Sequence, residues 1–243
     1  MADAANYGID APKDQQSLMW RGITFLALGL GIFFMNRQEY PGPAGTLLAV
    51  LGLVGVGFFS VACYMYWSSK TGKLQLRDQI LDGLQLKGEE KVLDVGCGRG
   101  LLLIGAAKRL NSKGRATGID CWNDDLSKNS KEETNSNVKA EGVADRARVE
   151  TGDATALPFG DASFDAVVSS TCLHNINGDD ARAKAVAEIY RVTKPGGQIA
   201  IFDIFRYGDY TKTLQGLGAT EVTESGLMFY WAVPGKIVRA RKA

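Results

Sequence analysis

The chain has 243 residues, with 28 basic against 27 acidic side chains and a single histidine, His174. A net charge of +1 excludes a strongly basic nucleic-acid binder, and the length allows one to two folded units. Mean hydropathy is near zero because two unlike parts average out: residues 18–67 are almost uncharged, whereas residues 70–243 are an ordinary soluble mixture. The four cysteines, Cys63, Cys97, Cys121 and Cys172, form no Cys-x-x-Cys pair and no histidine-paired metal spacing. A reduced, cytosol-facing protein without structural zinc is therefore expected.

The first apolar run, Leu18–Met35, is interrupted near one end by Arg21, whose long side chain can reach a headgroup layer. A signal peptide is the competing reading, but the preceding segment is weakly charged and no convincing small-residue cleavage site follows. The connector Asn36–Gly45 carries Pro41 and Pro43 and fits a tight reversal. The second run, Thr46–Trp67, has no charge over 22 residues. At about 1.5 Å per residue it can cross a hydrocarbon layer of roughly 30 Å. Tyr64, Tyr66 and Trp67 close it, as interfacial aromatics do.

The alternative, a buried core helix, is rare for an all-round apolar, glycine-rich segment of that length. Ala27/Gly31 and Gly45/Ala49 put small residues four apart, a spacing that permits close helix approach. A hairpin leaves both ends on one side of the bilayer. Lys13 and Arg21 lie before it and Lys70, Lys73 and Arg77 after it, against Arg37 alone in the connector. The soluble part is expected to face the cytoplasm.

Lys73–Leu86 has apolar residues at helical intervals. From Lys91 strands and helices alternate. The strands are Lys91–Gly96, Arg115–Asp120, Ala147–Asp153, Ser163–Thr171 and Gln198–Ile204, then Thr220–Gly226 and Lys236–Ala243. The helices are Arg99–Leu110, a polar one through about Val143, Asp179–Val192, stopped by Lys194-Pro195-Gly196-Gly197, and one near Tyr210–Leu217. The pattern predicts an α/β, Rossmann-like, doubly wound seven-stranded sheet preceded by a transmembrane helical hairpin. Expected boundaries are 1–17 for an N-terminal cytosolic segment, 18–67 for the hairpin, 68–90 for a linker and capping helix, and 91–243 for the α/β domain.

The stretch "KVLDVGCGRG", Lys91–Gly100, feeds a strand into a glycine-rich turn and then a helix, which lets a ligand approach bare backbone. A dinucleotide fingerprint needs Gly-x-Gly-x-x-Gly, but Leu101 stands where its third glycine would be, and no Gly-Lys-Ser/Thr phosphate loop follows. Asp120 ends the second strand and can accept two ribose hydroxyls, although an exposed turn aspartate would look the same.

Asp94-x-Gly96-x-Gly98-x-Gly100 resembles motif I of the class I S-adenosylmethionine-dependent methyltransferases. "GDATALPF", Gly152–Phe159, is similar to the family segment whose aspartate binds the adenine amino group, here Asp153, with the Ala154 N–H facing a ring nitrogen. "FDAVVSSTCLHNI" and "EIYRVTKPGGQIAIFDI" resemble the fourth-strand motif and the segment leading into the fifth strand. The matches cover about residues 75–243 and most resemble the quinone-biosynthesis and sterol or phospholipid methyltransferase group.

The sequence departs from that group in three places. "DCWNDDLS" replaces the usual Asp-x-Ser-x-x-Met, His174-Asn175 replaces paired histidines, and the hairpin is foreign to the soluble members.

The resemblance implies S-adenosylmethionine as cofactor and no metal. Asp94, Gly96, Cys97, Gly98 and Gly100 would form the loop, followed by Asp120, Cys121 and Trp122, then Asp153, Ala154 and Ser170. Trp122 either stacks on the adenine or simply packs. His174 is the candidate catalytic base or acceptor-orienting residue, against the plainer reading of a loop residue that shapes the pocket. Asp203, Tyr207 and Tyr210 are unranked neighbours.

The segment before the first strand is tied to the second apolar helix, so a lipophilic acceptor (quinone, isoprenoid, sterol or lipid) entering from the bilayer is expected. A small soluble or volatile acceptor with the hairpin as tether, or a non-catalytic cofactor-binding membrane protein, are the alternatives. No Asn/Asp-Pro-Pro-aromatic motif follows the fourth strand, which disfavours nucleic-acid acceptors. "KIVRARKA" at the C-terminus is either a contact for anionic headgroups or an ordinary charged strand. The sequence leaves the oligomeric state open.

Overall fold

The structure, a computed structural model, describes residues 5–9, 11–36, 42–122, 129–230 and 233–243. Two compact units result: Ile9–Gly72, and the residues up to Gly8 together with Lys73–Ala243. The division differs from the expected boundaries at 17, 67 and 90: the residues up to Gly8 pack with the α/β unit, Ser68–Gly72 continue the helix pair, and the helix from Lys73 packs with the α/β unit.

The Ile9–Gly72 unit is a pair of helices, α1 (Pro12–Asn36) and α2 (Pro43–Trp67), followed by a π turn over Ser68–Gly72. Pro43 opens α2 at a position where its missing N–H costs nothing. The helices meet at Gly22 and Gly55. A Cβ on Gly22 would stand 2.9 Å from the Phe59 backbone nitrogen, and one on Gly55 2.8 Å from Leu26. Phe25 and Phe58 stack beside this seam at 5.8 Å.

Of the two small-residue pairs read from sequence, Ala27/Gly31 lies away from this seam, since Gly31 has open space around it. In glycine- and alanine-rich runs such spacing recurs on several faces, and side-chain fit selects one. Outward-facing Leu28, Leu30, Phe34 and Leu53 are exposed, an apolar surface that water disfavours. Both helices are long and apolar enough to cross a membrane. The expected reversal in the connector lies, at residues 37–41, outside the described residues.

The α/β unit opens with α3 (Lys73–Asp82). Then follow β1 (Lys91–Val95), α4 (Leu101–Arg109), β2 (Arg115–Asp120), α5 (Lys131–Ala140) and β3 (Ala147–Thr151). The chain continues with β4 (Phe164–Ser170), α6 (Asp179–Val192), β5 (Thr193–Asp203), α7 (Tyr207–Gly216), β6 (Thr220–Glu224) and β7 (Lys236–Arg241). The seven strands order as β3-β2-β1-β4-β5-β7-β6. Strands β1 to β5 are parallel, and β7 pairs antiparallel with both β5 and β6.

Alternation along the strands builds two layers. Val92, Ala166, Val168, Ala200 and Phe202 pack with Leu76 and Ile80 of α3 and Leu102 and Ala106 of α4. Leu93, Val167, Ile199 and Ile201 pack with Val186 and Ile189 of α6 and Leu214 of α7. Such strands, apolar on both faces, suit the centre of a helix-covered parallel sheet. The chain order reverses between β1 and β4, so the switch point lies at their carboxyl ends, where the glycine-rich turn follows β1.

Strand β5 starts five residues before the expected Gln198, taking in the Pro195-Gly196-Gly197 stretch. Arg99 and Gly100 belong to the turn and not to α4.

Candidate active site

The loop after β1 has the backbone that its glycines permit. Gly96 has φ +73°, and a Cβ there would lie 2.1 Å from Cys172 Sγ, so no other residue fits. Gly98 and Gly100 also have positive φ, and Gly100 caps α4. The Gly96 and Cys97 amides both donate to the Ile119 carbonyl, at 2.8 and 3.1 Å, which ties the loop to β2.

Asp94 lies beneath the loop, 3% exposed, and its Oδ2 accepts the Leu103 N–H at 2.8 Å. It thereby satisfies one of the orphan donors in the first turn of α4. Burial, opposed by that hydrogen bond and reinforced by the nearby Asp120 charge, pushes its carboxyl up to about 7.

Asp120, at the end of β2, clamps the loop from the side. Its Oδ2 accepts the Gly98 N–H at 2.8 Å and its Oδ1 the Trp122 N–H at 2.9 Å. Each carboxylate oxygen has a second lone-pair direction, so ribose hydroxyls can still be accepted there. Trp122 itself has φ +56° and donates its indole N–H to Thr151 Oγ1 at the end of β3, 2.8 Å away. Cys121 beside it is exposed, and residues 123–128 of "DCWNDDLS" lie outside the described residues.

Asp153 is exposed just beyond β3, its Oδ1 accepting from the Thr155 amide, and Ala154 follows in the same turn. Ser170 ends β4, while its neighbour Ser169 is buried and donates to the Val95 carbonyl at 2.8 Å.

Burial, followed by the charges of neighbouring aspartates, raises both the Cys97 and Cys172 thiols. They stay protonated and fill space between loop and sheet, and they supply no thiolate nucleophile. Among the described residues no group of three or more His, Cys, Asp or Glu is arranged to hold a metal.

His174 lies in a single 3₁₀ turn, Leu173–Asn175, just after β4. Its Nδ1 is 2.5 Å from Asp203 Oδ1, and its backbone N–H donates to Asp203 Oδ2 at 3.1 Å. Tyr210 donates its hydroxyl to Oδ2 at 3.0 Å and the Ile204 amide donates to Oδ1 at 2.8 Å. Four donors thus surround a carboxylate that is 1% exposed. Burial and the Asp203 charge raise the Tyr210 hydroxyl, so it remains a donor. Of the residues the sequence left unranked, Asp203 and Tyr210 join His174, whereas Tyr207 lies under the Lys236 ammonium at 4.7 Å. Phe205 meets the imidazole edge-on at 6.1 Å and is exposed.

Sequence reading missed two residues of α5. Thr134 Oγ1 donates to the Gly98 carbonyl at 2.5 Å and Asn137 Nδ2 to the Arg99 carbonyl at 2.9 Å. Both are buried. Nothing in the polar stretch "KEETNSNVKA" separates them from solvated neighbours.

A bare glycine loop beside an aspartate with acceptor capacity suits a nucleoside with vicinal hydroxyls better than a pyrophosphate. Residues 92–197 match the methyltransferase domain family. The demethylmenaquinone methyltransferase of Lactiplantibacillus plantarum is 34% identical over 127 residues, 52% of this chain and 50% of that protein. The sterol 4-C-methyltransferase strm-1 of Caenorhabditis elegans is 30% identical over 137 residues, 56% of this chain and 38% of that protein. The matched region thus spans half or less of these relatives' own length.

The crystal structure of an S-adenosylmethionine-dependent methyltransferase from Aquifex aeolicus superposes with a TM-score of 0.56. It is 18% identical and covers 75% of this chain and 98% of its own. Residues 92–197 thus carry a methyltransferase domain, and the sheet around them has the fold of the S-adenosylmethionine-dependent methyltransferases.

Proposed function

We propose that the protein transfers a methyl group from S-adenosylmethionine to a small lipophilic acceptor at a membrane surface. The observation that carries the reading is the His174–Asp203 pair at the carboxyl edge of the sheet, one residue just after β4 and the other at the end of β5. When bound, the sulfonium supplies an electrophilic methyl group.

The loop of Gly96, Cys97, Gly98 and Gly100 would lie along this cofactor, with Asp94 fixing the loop from below. Asp120 would take the ribose hydroxyls, and Asp153 with the Ala154 amide the adenine edge. Cys121, Trp122 and Ser170 would line the same cleft, Trp122 either on the adenine face or as packing.

His174 acts on the acceptor. With Nδ1 facing a carboxylate, that nitrogen carries the hydrogen, and Nε2 is left to take a proton from a phenol, alcohol or activated carbon. Asp203 holds the ring in that tautomer and favours the positively charged ring once the proton has moved. Tyr210 holds Asp203. General-base help of this kind is worth roughly 10²–10⁴-fold, and alignment of the acceptor can supply about 7–11 kcal/mol.

Three observations support a lipophilic acceptor. The two relatives above are named for a quinone precursor and a sterol. Phe205 beside His174 is exposed, as are Leu227 and Phe229 between β6 and β7. The chain also carries two helices able to cross a bilayer. We read these as a membrane hairpin, with the α/β unit on the cytoplasmic side as the flanking charges favour.

The test is full-length protein in liposomes, given methyl-labelled S-adenosylmethionine and a cell extract. Label should appear in the organic-soluble fraction. Label confined to water-soluble products would favour the tether reading, and cofactor binding without transfer would favour a non-catalytic protein.

A further inference from the structure

We propose that residues 5–8, which precede the apolar hairpin, form a strap that completes the cofactor site by fixing the outer edge of the glycine loop. The inference rests on the cofactor reading above. The strap's main chain is held by side chains from three other parts of the α/β unit: Asn137 of α5, Lys73 of α3 and, at 3.5 Å from the Asn6 carbonyl, Arg99 of the loop. The Asn6 N–H donates to Asn137 Oδ1 at 2.8 Å, and Asn137 Nδ2 donates back to the Asn6 carbonyl at 3.1 Å. The same Nδ2 donates to the Arg99 carbonyl at 2.9 Å, so one side chain joins strap and loop. Lys73 donates its ammonium to the Tyr7 and Gly8 carbonyls, both at 2.8 Å. Tyr7 donates its hydroxyl to Glu141 at 3.1 Å.

Arg99 is the loop's side of the contact. It stands between Gly98 and Gly100, and its guanidinium reaches Asn129 and Glu133. Gly8 has φ +76°, and a Cβ on it would lie 3.4 Å from Arg99 Cδ and Nε, so the strap rests directly on this side chain.

Lys73 and Asn137 are almost fully buried. Burial of polar groups is unfavourable unless they are hydrogen-bonded, and the strap supplies several of the partners. Of these four residues Tyr7 packs against the apolar core, and the strap's main chain is held by buried polar groups, one of which also holds the loop. Asn137 and Arg99 act as positioning residues, transmitting strap placement to the backbone that faces the cofactor.

The hairpin leaves the α/β unit at Gly8 and returns at Lys73, the two positions joined by the Lys73 ammonium. The cofactor site is therefore assembled from chain on both sides of the apolar insertion.

The test uses full-length protein in detergent with S-adenosylhomocysteine as the probe, titrated by calorimetry, and hydrogen exchange followed at residues 5–8. In the unaltered protein the probe should slow exchange at Asn6, Tyr7 and Gly8. Removal of residues 1–8, or Asn6→Pro, which deletes the amide donated to Asn137, should weaken binding by about tenfold or more. The KM for S-adenosylmethionine should rise while kcat holds. If truncation prevents folding, Asn6→Pro and the exchange data on the unaltered protein still decide. Variants that bind as the unaltered protein does, or unchanged exchange on binding, would overturn the strap alone. No binding by the unaltered protein would overturn the cofactor reading as well.

Discussion

His174 Nδ1 lies 2.5 Å from Asp203 Oδ1, although 29 residues separate them in the chain. The parallel pairing of β4 and β5 brings them together, because each follows or ends its strand at the same edge of the sheet. A histidine whose tautomer is set by a buried carboxylate is arranged for proton uptake at the other nitrogen. His174→Asn should therefore lower kcat by roughly 10²–10⁴-fold for a protonated acceptor, with adenosylhomocysteine affinity nearly unchanged. Asp203→Asn should lower kcat similarly and also reduce stability, since four donors lose their charged partner. Equal losses in kcat and cofactor affinity for His174→Asn would mean that the residue only shapes the pocket.

Asp94 makes a prediction about pH. Its folded-state carboxyl titrates near 7, above the ordinary value of 3.8, because burial disfavours the charge. In the unfolded chain the group ionises at lower pH, so this residue destabilises the fold progressively as pH rises from about 4 through about 7. The limiting slope is about 1.4 kcal/mol per pH unit. Asp94→Asn keeps an oxygen for the Leu103 amide and removes the titration. Melting of the ligand-free variant should depend less on pH between 4.5 and 7.5 than that of the unaltered protein. Parallel pH profiles would show that Asp94 ionises in the fold as easily as in water.

Gly96 is the position least tolerant of a side chain. Gly96→Ala places a methyl 2.1 Å from Cys172 Sγ on a backbone with φ +73°. Adenosylhomocysteine affinity should fall by at least about tenfold. Cys172→Gly in the same protein should restore part of it by removing both clashing atoms, Sγ and the Cβ at 2.4 Å, with the backbone strain left in place. Unaltered affinity in Gly96→Ala, measured by calorimetry, would show that the loop is not in contact with the ligand.

Phe205 tests the acceptor. Its ring touches His174 and faces outward, so Phe205→Ser should raise KM for an acceptor with a long hydrocarbon portion while sparing kcat. A loss of about 1.5–3 kcal/mol of apolar contact corresponds to roughly 10–100-fold in KM. A KM that does not move would remove Phe205 from the acceptor path.

Much of the candidate site is legible in the sequence because it depends on backbone. Gly96, Gly98 and Gly100 announce a positive-φ turn, and Asp120 and Asp153 fall at strand ends that the apolar runs delimit. The alternation that predicted seven strands works because each central strand is apolar on both faces, as Leu93 and Val92 show. What the sequence hid depends on side chains meeting across the fold. Thr134 and Asn137 sit in a polar helix whose buried face has hardly any apolar residue to mark it. Tyr210 and Tyr207 look alike in the chain, and only packing sends one to Asp203 and the other beneath Lys236. The helix seam at Gly22 and Gly55 was likewise invisible, since the run offers several small-residue pairs. The attachment of Asn6–Gly8 across more than 60 residues has no local signature.

The account depends most on Asp120 and the glycine loop as the seat of a sulfonium nucleoside. Calorimetric titration of the full-length protein with S-adenosylhomocysteine, beside Asp120→Ala, tests this directly. One site per chain should be found, with affinity reduced by about tenfold or more in the variant, whose loop loses the Gly98 acceptor as well as the ribose one. No heat with the unaltered protein, or the same affinity in both proteins, would contradict it.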